Sequence, residues 1–247
     1  MSHHDGEFID VSVIFPAYNE AGRLAPAVDK TVRLLREVAR SYEIIIAEDG
    51  STDGTDKVAS KLSREYSFVK HIHSDRRLGK GQALKEASKK SRGAIIVHMD
   101  VDLATNIRHL RELVQSIREG YDLAIGSRLL PGSKVERRLF REFISRAYNL
   151  MVRLLFKTGI RDHQCGFKSF KRQALLKVLN EVKANHLFWD TELLVRASEK
   201  GYRIREIPVE WKEGKTTKVR LFKDSLSMFL QAFKLWLELK GKRSVLC

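Results

Sequence analysis

Two carboxylates follow a short apolar segment near the middle of the chain. The sequence reads His98-Met-Asp100-Val-Asp102 directly after an apolar run that is typical of a buried strand. Alternation along that strand predicts both carboxylates on the same side. Neighbouring carboxylates repel unless a hard cation bridges them, and Mg²⁺ or Mn²⁺ takes one or two carboxylates plus substrate phosphate oxygens. Asp100 and Asp102 are therefore predicted to hold Mg²⁺ or Mn²⁺ on a phosphorylated ligand. The alternative is a solvated pair of acids at a strand end.

Two polar loops follow the first and second predicted strands. They are Phe15-Pro16-Ala-Tyr18-Asn-Glu20 and Glu48-Asp49-Gly-Ser-Thr-Asp-Gly-Thr55. Tyr18 offers a face on which a nucleotide base could stack. Three carboxylates could accept hydrogen bonds from base N–H groups or ribose hydroxyls: Glu20, Glu48 and Asp49. The second loop can also be an ordinary turn with a helix cap, and both interpretations can hold together.

A lysine flanked by glycines opens a predicted helix. The segment is Arg76-Arg-Leu-Gly79-Lys80-Gly81. A cation beside the exposed N–H groups of a helix start can cradle a phosphate. Lys80 is therefore a candidate phosphate ligand.

Strands and helices alternate through the first half of the chain. The predicted strands are Val11–Phe15, Glu43–Ala47, Phe68–His73, Ala94–Met99 and Leu123–Ile125, and the predicted helices are Leu24–Arg40, Thr55–Tyr66, Gly79–Lys90 and Ile107–Glu119. This order predicts an α/β fold with a mainly parallel sheet and helices on both faces. Ligands of such sheets bind beyond the carboxyl ends of the strands, where the polar loops are expected.

The second half follows a different pattern. We predict helices at Arg137–Phe156, Trp189–Lys200 and Asp224–Lys240, a loop at Ile160–Phe170 and a strand at Tyr202–Trp211. The first and last of these helices are amphipathic or apolar on more than one face. The sequence thus predicts one domain over residues 8–221 and a C-terminal amphipathic helix over 222–247.

The charge of the chain points to an anionic partner. Lys and Arg number 46 against 31 Asp and Glu, and residues 128–172 alone hold twelve basic and three acidic residues. Nucleic acid, an anionic membrane or a phosphorylated substrate would suit this excess. The only cysteines, Cys165 and Cys247, are far apart, which favours a reducing compartment. We expect no signal peptide and no conventional spanning helix, because neither required apolar run occurs.

Taken together, the motifs resemble the inverting glycosyltransferases of family 2, which have the GT-A fold. The likeness covers roughly residues 10–221 and includes, in order, Pro-Ala-Tyr-Asn-Glu, Glu-Asp-Gly-Ser-Thr-Asp-Gly-Thr, Gly-Lys-Gly, Asp-Val-Asp and Gly126-Ser-Arg128. Within the family the chain is most similar to dolichyl-phosphate hexose synthases. The marks of that branch are Gly126-Ser-Arg128, Arg141-x-x-x-Ser145, Asp162-His-Gln164-Cys-Gly-Phe167 and Thr216-Thr-Lys218.

The resemblance implies a division of roles. The half at 8–127 would bind the nucleotide sugar, and the half at 128–221 the acceptor. Donor-binding residues would be Pro16, Tyr18, Glu20, Glu48, Asp49, Lys80, Asp100 and Lys218. Acceptor-binding residues would be Arg128, Arg141, Ser145 and Gln164, and the catalytic residues would be Asp102, Arg128 and Arg141. The metal, Mg²⁺ or Mn²⁺, would lie on Asp100 and Asp102.

The chain departs from the family pattern at two places. Glu48-Asp49 stands where members often have two aspartates, and the extra methylene would alter base contacts. Asp-Val-Asp-Leu-Ala-Thr105 replaces the Asp-Ala-Asp-Leu-Gln of mannosyl enzymes, which favours the glucosyl branch. We therefore favour UDP-glucose over GDP-mannose as the donor.

The basic stretch favours a polyprenyl (dolichyl-type) phosphate as the acceptor. An alcohol must lose a proton to a positioned base, whereas a phosphate monoester with a second pKa of about 6 is already largely dianionic. Arginine forks suit such a phosphate. Asp162, Asp190 and Glu192 are possible bases, so a hydroxyl acceptor stays open, as does a structural role for these acids.

The two apolar helices favour an anionic membrane surface, with the enzyme peripheral on its cytosolic side. Core packing, contact with a membrane subunit and homo-oligomer contact are alternatives for them. For the Asp224–Lys240 helix, a position just before membrane-spanning segments outside this sequence is a further alternative. Two other classes compete with the transferase. A nucleotidyltransferase would carry an early Gly-x-Gly-x-Arg-Leu loop, which is absent. A basic nucleic-acid or anionic-lipid binding module would leave the acid clusters without purpose, so no nucleic-acid partner is expected.

Overall fold

The structure, a computed structural model, describes residues 9–214 and 221–245. The strands are β1 (Val11–Ala17), β2 (Tyr42–Glu48), β3 (Val69–Ile72), β4 (Ile95–His98), β5 (Leu123–Ser127), β6 (Lys134–Glu136), β7 (Lys168–Lys171), β8 (Ile204–Pro208) and β9 (Glu210–Lys212). The helices are α1 (Ala21–Val38), α2 (Thr55–Glu65), α3 (Lys80–Lys90), α4 (Leu110–Arg118), α5 (Leu139–Phe156), α6 (Arg172–Leu179), α7 (Trp189–Glu199) and α8 (Leu221–Val245).

Seven strands form one sheet in the order β3-β2-β1-β4-β7-β5-β8. All neighbouring pairs are parallel except those of β7, which runs antiparallel to both β4 and β5. A second sheet pairs β6 with β9 in parallel. The predicted α/β fold with a mainly parallel sheet is therefore confirmed.

Helices cover both faces of the large sheet, as the sequence predicts. On one face α1, α2 and α4 pack against alternate strand residues such as Val13, Phe15 and Val97. On the other face α3, α6 and α7 pack against the intervening residues, including Ile14, Ile45 and Ile96. The central strands are mostly apolar because helices bury both of their faces.

Two of the predicted elements are wrong in detail. The predicted loop Ile160–Phe170 ends in strand β7, whose residues fill the gap between β4 and β5. The predicted strand Tyr202–Trp211 is two strands, since β8 belongs to the large sheet and β9 to the small one. In both places local alternation cannot reveal which partner strand supplies the hydrogen bonds.

Helices α5 and α8 pack on α7 through a separate apolar cluster. It contains Tyr148, Val152 and Phe156 of α5 and Met228, Ala232 and Leu235 of α8. The predicted C-terminal helix is thus docked on the rest of the protein along one side. Within the described residues, none of the helices is sufficiently long and apolar to span a bilayer.

The close approach of β1 to the segment before β4 generates a stability prediction. The N–H of Gly93 donates to the Ser12 hydroxyl at 2.8 Å, and a Cβ at Gly93 would lie 2.4 Å from the Ser12 backbone nitrogen. Gly93→Ala should therefore force the strands apart and lower the free energy of unfolding by about 1–3 kcal/mol, the usual cost of overpacking. Urea denaturation followed by circular dichroism measures it.

Gly22→Ala in α1 is the matched control. A Cβ there would meet no atom of the described residues within 4 Å, so the helix should gain about 0.5–1 kcal/mol. Equal stability of the two variants would contradict the proposed close contact.

Candidate functional site

The polar loops meet at one edge of the large sheet. Strands β1, β2, β4 and β5 are parallel, so the segments that follow them leave from the same edge. The antiparallel strand β7 begins at this edge, which brings Gln164 and Gly166 beside it. A larger cavity of about 500 Å³ opens at the opposite edge, near Arg118 and Arg172, away from all of these motifs.

Asp100 and Asp102 lie on a turn beyond β4, not on the strand itself. Strand β4 ends at His98, so the prediction that strand alternation aligns the two carboxylates is wrong. The turn nevertheless brings both acids into one pocket, because Leu103 adopts a positive φ of 49° and Asp102 accepts the N–H of Ala104 at 3.0 Å. Burial and the neighbouring Asp100 raise the pKa of Asp102.

The same pocket has a cationic wall. Arg128, Gln164 and Trp211 line it together with the two aspartates. Gly166 lies so close that a Cβ there would be 2.1 Å from an oxygen of Asp100. Only glycine leaves room for the carboxylate at this position.

Lys80 contacts Asp100 directly. Its Nζ is 2.7 Å from Asp100 Oδ1 and 3.8 Å from Asp190 Oδ2, and Asp190 is in turn 2.7 Å from the buried Lys168. Burial alone would lower the pKa of Lys80, but Asp100 and Asp190 outweigh it and the pKa is raised. A cation therefore already occupies one side of the aspartate pair. Two carboxylates beside an open pocket also fit a divalent ion that completes its shell with phosphate oxygens.

The loops that follow β1 and β2 are hydrogen-bonded to each other. The N–H of Asn19 donates to Ser51 at 3.0 Å, that of Glu20 to Thr55 at 2.7 Å, and that of Ala21 to Asp53 at 3.1 Å. These bonds fix the segment after β1 on the segment after β2. Pro16, by contrast, is the penultimate residue of β1.

The predicted nucleoside ligands differ in their accessibility. Tyr18 has the guanidinium of Arg77 over its ring at 4.0 Å, so a cation covers the face predicted to stack on a base. Glu48 is buried and accepts from Ser51 N, while Asp49 accepts from the N–H groups of Leu78 and Gly79 at 2.6 and 2.9 Å. Their visible role is to shape the loops, and direct base contact stays a prediction.

Arg128 forms a bidentate ion pair with Asp162. Its Nε and Nη2 lie 2.7 and 2.9 Å from the two carboxylate oxygens, and its backbone N–H is 3.0 Å from Oδ2. Burial would raise the pKa of Asp162, but Arg128 outweighs it and holds that pKa well below its usual range. The Asp162 carboxylate therefore fixes the orientation of the Arg128 side chain.

Two further arginines stand beside Arg128. Arg141 donates to Glu213 at 2.5 Å, and the guanidinium groups of Arg128 and Arg137 lie 5.5 and 5.4 Å from the centroid of Trp211. The Nε groups of Arg137 and Arg141 are buried without a hydrogen-bond partner in the described parts of the chain. Burial and the charge of Arg128 lower the pKa of Arg137 to about 10. Asp162 and Glu213 pair with Arg128 and Arg141, so the three arginines of this cluster carry more positive charge than these two carboxylates neutralise.

Ser145 and Gln164 connect α5 to the pocket. The Ser145 hydroxyl donates to Gln164 Oε1 at 3.2 Å, and Gln164 Nε2 lies 3.8 Å from the sulfur of Met228 in α8. Gln164 lines the pocket, whereas Ser145 is buried behind it. Lys218, predicted to approach the donor diphosphate, lies outside the described residues.

The remaining candidate bases are also paired. Asp190 contacts Lys168 and Lys80, and Glu192 binds Arg196 at 2.7 Å and the N–H groups of two residues near α7. Neither carboxylate is directed at the pocket as a lone acceptor of protons. The structural role that the sequence left open for these acids is the one observed.

Four neighbours of the site are not among the predicted site residues: Arg77, Arg137, Lys168 and Trp211. Arg77 belongs to the segment 76–81 that the sequence marks as a phosphate cradle, but only Lys80 was predicted as a ligand. Arg137 belongs to the strongly basic stretch, but nothing in its spacing separates it from Arg138, which is exposed. Lys168 ends the segment Gln164-Cys-Gly-Phe-Lys168, which resembles the glucosyl branch, but its burial follows from the insertion of β7 into the sheet. Trp211 was assigned to a regular strand.

The architecture and the site define a GT-A-like α/β enzyme fold. Its structural neighbours include glucosyl-3-phosphoglycerate synthase from Mycobacterium tuberculosis in complex with UDP, with a TM-score of 0.71, 19% identity and coverage of 92% of this chain and 80% of that one. Another neighbour is the mannosyltransferase PcManGT from Pyrobaculum calidifontis in complex with GDP-Man and Mn²⁺. Its TM-score is 0.58 and its sequence identity 20%, and the match covers 94% of this chain and 65% of that one.

The chain belongs to glycosyl transferase family 2, whose profile matches residues 12–179. Glycosyltransferase AglD of Haloferax volcanii is 46% identical over 234 residues, which cover 94% of this chain but 38% of that protein. The human dolichyl-phosphate beta-glucosyltransferase is 34% identical over 233 residues, covering 88% of this chain and 72% of the relative. The predicted family is confirmed, and the nucleotidyltransferase and the binding module are set aside.

Proposed function

We propose that this chain transfers a hexose from a nucleotide-diphosphate sugar to a polyprenyl phosphate of the dolichyl type, with inversion. One observation carries the proposal. The carboxylates that could serve as bases, Asp162, Asp190 and Glu192, are each paired with a cation. Beside the aspartate pocket stands an arginine cluster with N–H groups that have no partner among the residues that the structure describes. Such a site suits an acceptor that is already anionic.

The relatives support the same acceptor. Several of them, including the human and yeast proteins, are named dolichyl-phosphate beta-glucosyltransferase. The names favour glucose, and UDP-glucose is the donor we propose in accordance with the Ala104-Thr105 signature. GDP-mannose is the alternative donor, and PcManGT binds it on a related fold.

Asp100 and Asp102 would hold Mg²⁺ or Mn²⁺. Such an ion neutralises the diphosphate and so makes it a better leaving group. The ammonium group of Lys80 is paired with Asp100. When a divalent ion binds Asp100, Lys80 could therefore release this carboxylate and bind a phosphate of the donor. Asp190 and Lys168 hold Lys80 near that position.

The arginine cluster would hold the acceptor. Arg128 is fixed by Asp162, and Arg137 and Arg141 present buried N–H groups that a phosphate could satisfy. A phosphate oxygen then forms a bond to the anomeric carbon as the bond from that carbon to the diphosphate oxygen breaks. In-line displacement converts an α-linked donor into a β-linked product, and no proton has to move.

The central test is a transfer assay with UDP-glucose or GDP-mannose and polyprenyl phosphate, read as lipid-linked sugar by mass spectrometry. Chelator should abolish transfer, and Mg²⁺ or Mn²⁺ should restore it. Asp102→Asn should reduce turnover by more than the roughly 10- to 100-fold that is typical when a residue that only orients a metal ligand is substituted. Asp29→Asn, at an exposed position of α1, should have the same turnover as the wild type.

Full turnover in chelator would remove the metal role. Sugar found only on a hydroxyl acceptor, with none on the lipid phosphate, would replace our acceptor by an alcohol.

A second prediction separates the donor from the acceptor side. Arg141→Ala should leave nucleotide affinity nearly unchanged and reduce transfer to polyprenyl phosphate about 10- to 100-fold, because a hydrogen bond to a charged group contributes about 1.5–3 kcal/mol. Arg141→Lys should restore only part of the transfer activity, since lysine keeps the charge but lacks the planar fork of arginine. Calorimetry of UDP binding beside turnover measures both effects.

Arg146→Ala is the matched control, because Arg146 is on the same helix, exposed and paired with Glu142. A parallel fall of nucleotide affinity and turnover in Arg141→Ala would move Arg141 to the donor site.

We further infer that α5 and α8 bind an anionic membrane surface. Apolar side chains on both helices are exposed: Leu139, Phe140, Phe143, Leu150, Leu154, Leu226, Leu230, Phe233 and Leu237. Arg138, Arg146 and Arg153 are exposed on α5 among them. An apolar surface with interspersed arginines suits the boundary between acyl chains and anionic headgroups. The cytosolic face of a membrane stays the predicted location, and contact with a membrane subunit or a second copy is the competing explanation.

The membrane prediction is tested by flotation with liposomes. Binding should be stronger to anionic than to neutral vesicles and should weaken with salt, because each basic residue near the surface contributes about 1 kcal/mol. Phe143→Glu combined with Leu230→Glu should release the protein. Lys61→Glu on α2 makes the same net charge change and should still float. Absence of binding to either vesicle would leave the helices as subunit contacts.

A further inference from the structure

A second group of metal-binding side chains lies on the outer strands, apart from the aspartate pocket. Ile46 of β2 pairs in register with His71 of β3. Glu48 is the last residue of β2, and His73 directly follows the last residue of β3, so both lie two positions beyond this pair at the same end of the two parallel strands. One ligand atom each of Glu48, His71 and His73 lies within 4.8 Å of those of the other two.

Two of the three side chains contact each other, and the third has a buried nitrogen atom without a hydrogen-bond partner among the described residues. The Glu48 side chain is fully buried, and its Oε2 is 2.5 Å from His73 Nδ1. The Nε2 of His71 is buried and has no hydrogen-bond partner within residues 9–214 and 221–245. A buried imidazole nitrogen without a partner costs free energy, which a ligand at that point would recover.

We propose that Glu48, His71 and His73 bind one transition-metal ion of the zinc type. Two imidazoles and one carboxylate suit Zn²⁺ or Co²⁺, whereas Mg²⁺ prefers oxygen ligands alone. Three protein ligands leave the fourth tetrahedral position for water. His73 would bind through Nδ1, because its Nε2 lies 3.2 Å from Asp75 Oδ1, and an outer carboxylate of this kind orients a ligating imidazole.

The consequence is structural and lies on the donor side. The metal would join β2 to the edge strand β3, and Glu48 Oε1 would keep its bond to the N–H of Ser51. Ser51 in turn accepts the N–H of Asn19, so the ion would stiffen the two loops proposed for the nucleoside. This role is separate from that of Asp100 and Asp102, whose oxygen ligands select a different class of cation.

The test uses the full chain with His3→Ala and His4→Ala, so that terminal histidines do not bind metal. Metal-free protein given Zn²⁺ and desalted should retain one ion per chain by elemental analysis. Co²⁺ should give the intense visible absorption of a tetrahedral site. Zn²⁺ at about 100 times its Kd should raise Tm by about 5–10 °C.

Variants assign the ligands. His71→Ala and His73→Ala should lose the retained zinc, the cobalt spectrum and the Tm shift, and His71→Gln repeats the loss with less change of volume. His109→Ala, a control histidine at the start of α4, should keep all three signals. Asp102→Asn should keep them too, because its carboxylate belongs to the other site.

Failure to retain zinc in the wild type, or equal retention in His71→Ala with a native circular dichroism spectrum, overturns the proposal. Neither measurement depends on transferase activity, so this result is independent of the proposed function.

Discussion

The pairing of buried and half-buried charges at the carboxyl edge of the sheet is the constraint on which the site depends. Asp100, Lys80, Asp190 and Lys168 form a chain of alternating sign, and Arg128 is bound by Asp162 beside it. A buried charge without a partner would be costly, so each group is held by another. The pairs fix cations around the pocket before any anionic ligand is present.

This arrangement explains how one pocket could serve two anionic substrates. The aspartates, with a divalent ion and Lys80, would act on the donor diphosphate, whereas the arginines would act on the acceptor phosphate. Separate cationic groups would prevent the two proposed substrates from competing for the same ligands. The guanidinium groups of Arg128 and Arg137 both lie over the ring of Trp211, which holds the two cations side by side.

The position of the proposed acceptor-binding residues would also link the chemistry to a lipid surface. Arg141 and Ser145 are on α5, whose outer side is apolar and exposed, and Gln164 contacts Met228 of α8. A phosphate attached to a polyprenyl chain could therefore reach the arginines while its chain stays near these helices. The same two helices would bind the enzyme to the membrane and receive the acceptor.

The sequence by itself determined the alternation of strands and helices, the mainly parallel sheet, the family, and the polar loops that meet at one edge. These follow from local periodicity and from residues close together in the chain, such as Asp100 and Asp102. The tertiary structure decided what local pattern cannot express. Strand β7 enters between β4 and β5 from a predicted loop, because its partners are distant in sequence. Arg128 meets Asp162, Lys80 meets Asp100, and His71 meets Glu48 only after the sheet has formed, since pairing of charged and polar groups depends on distance in space.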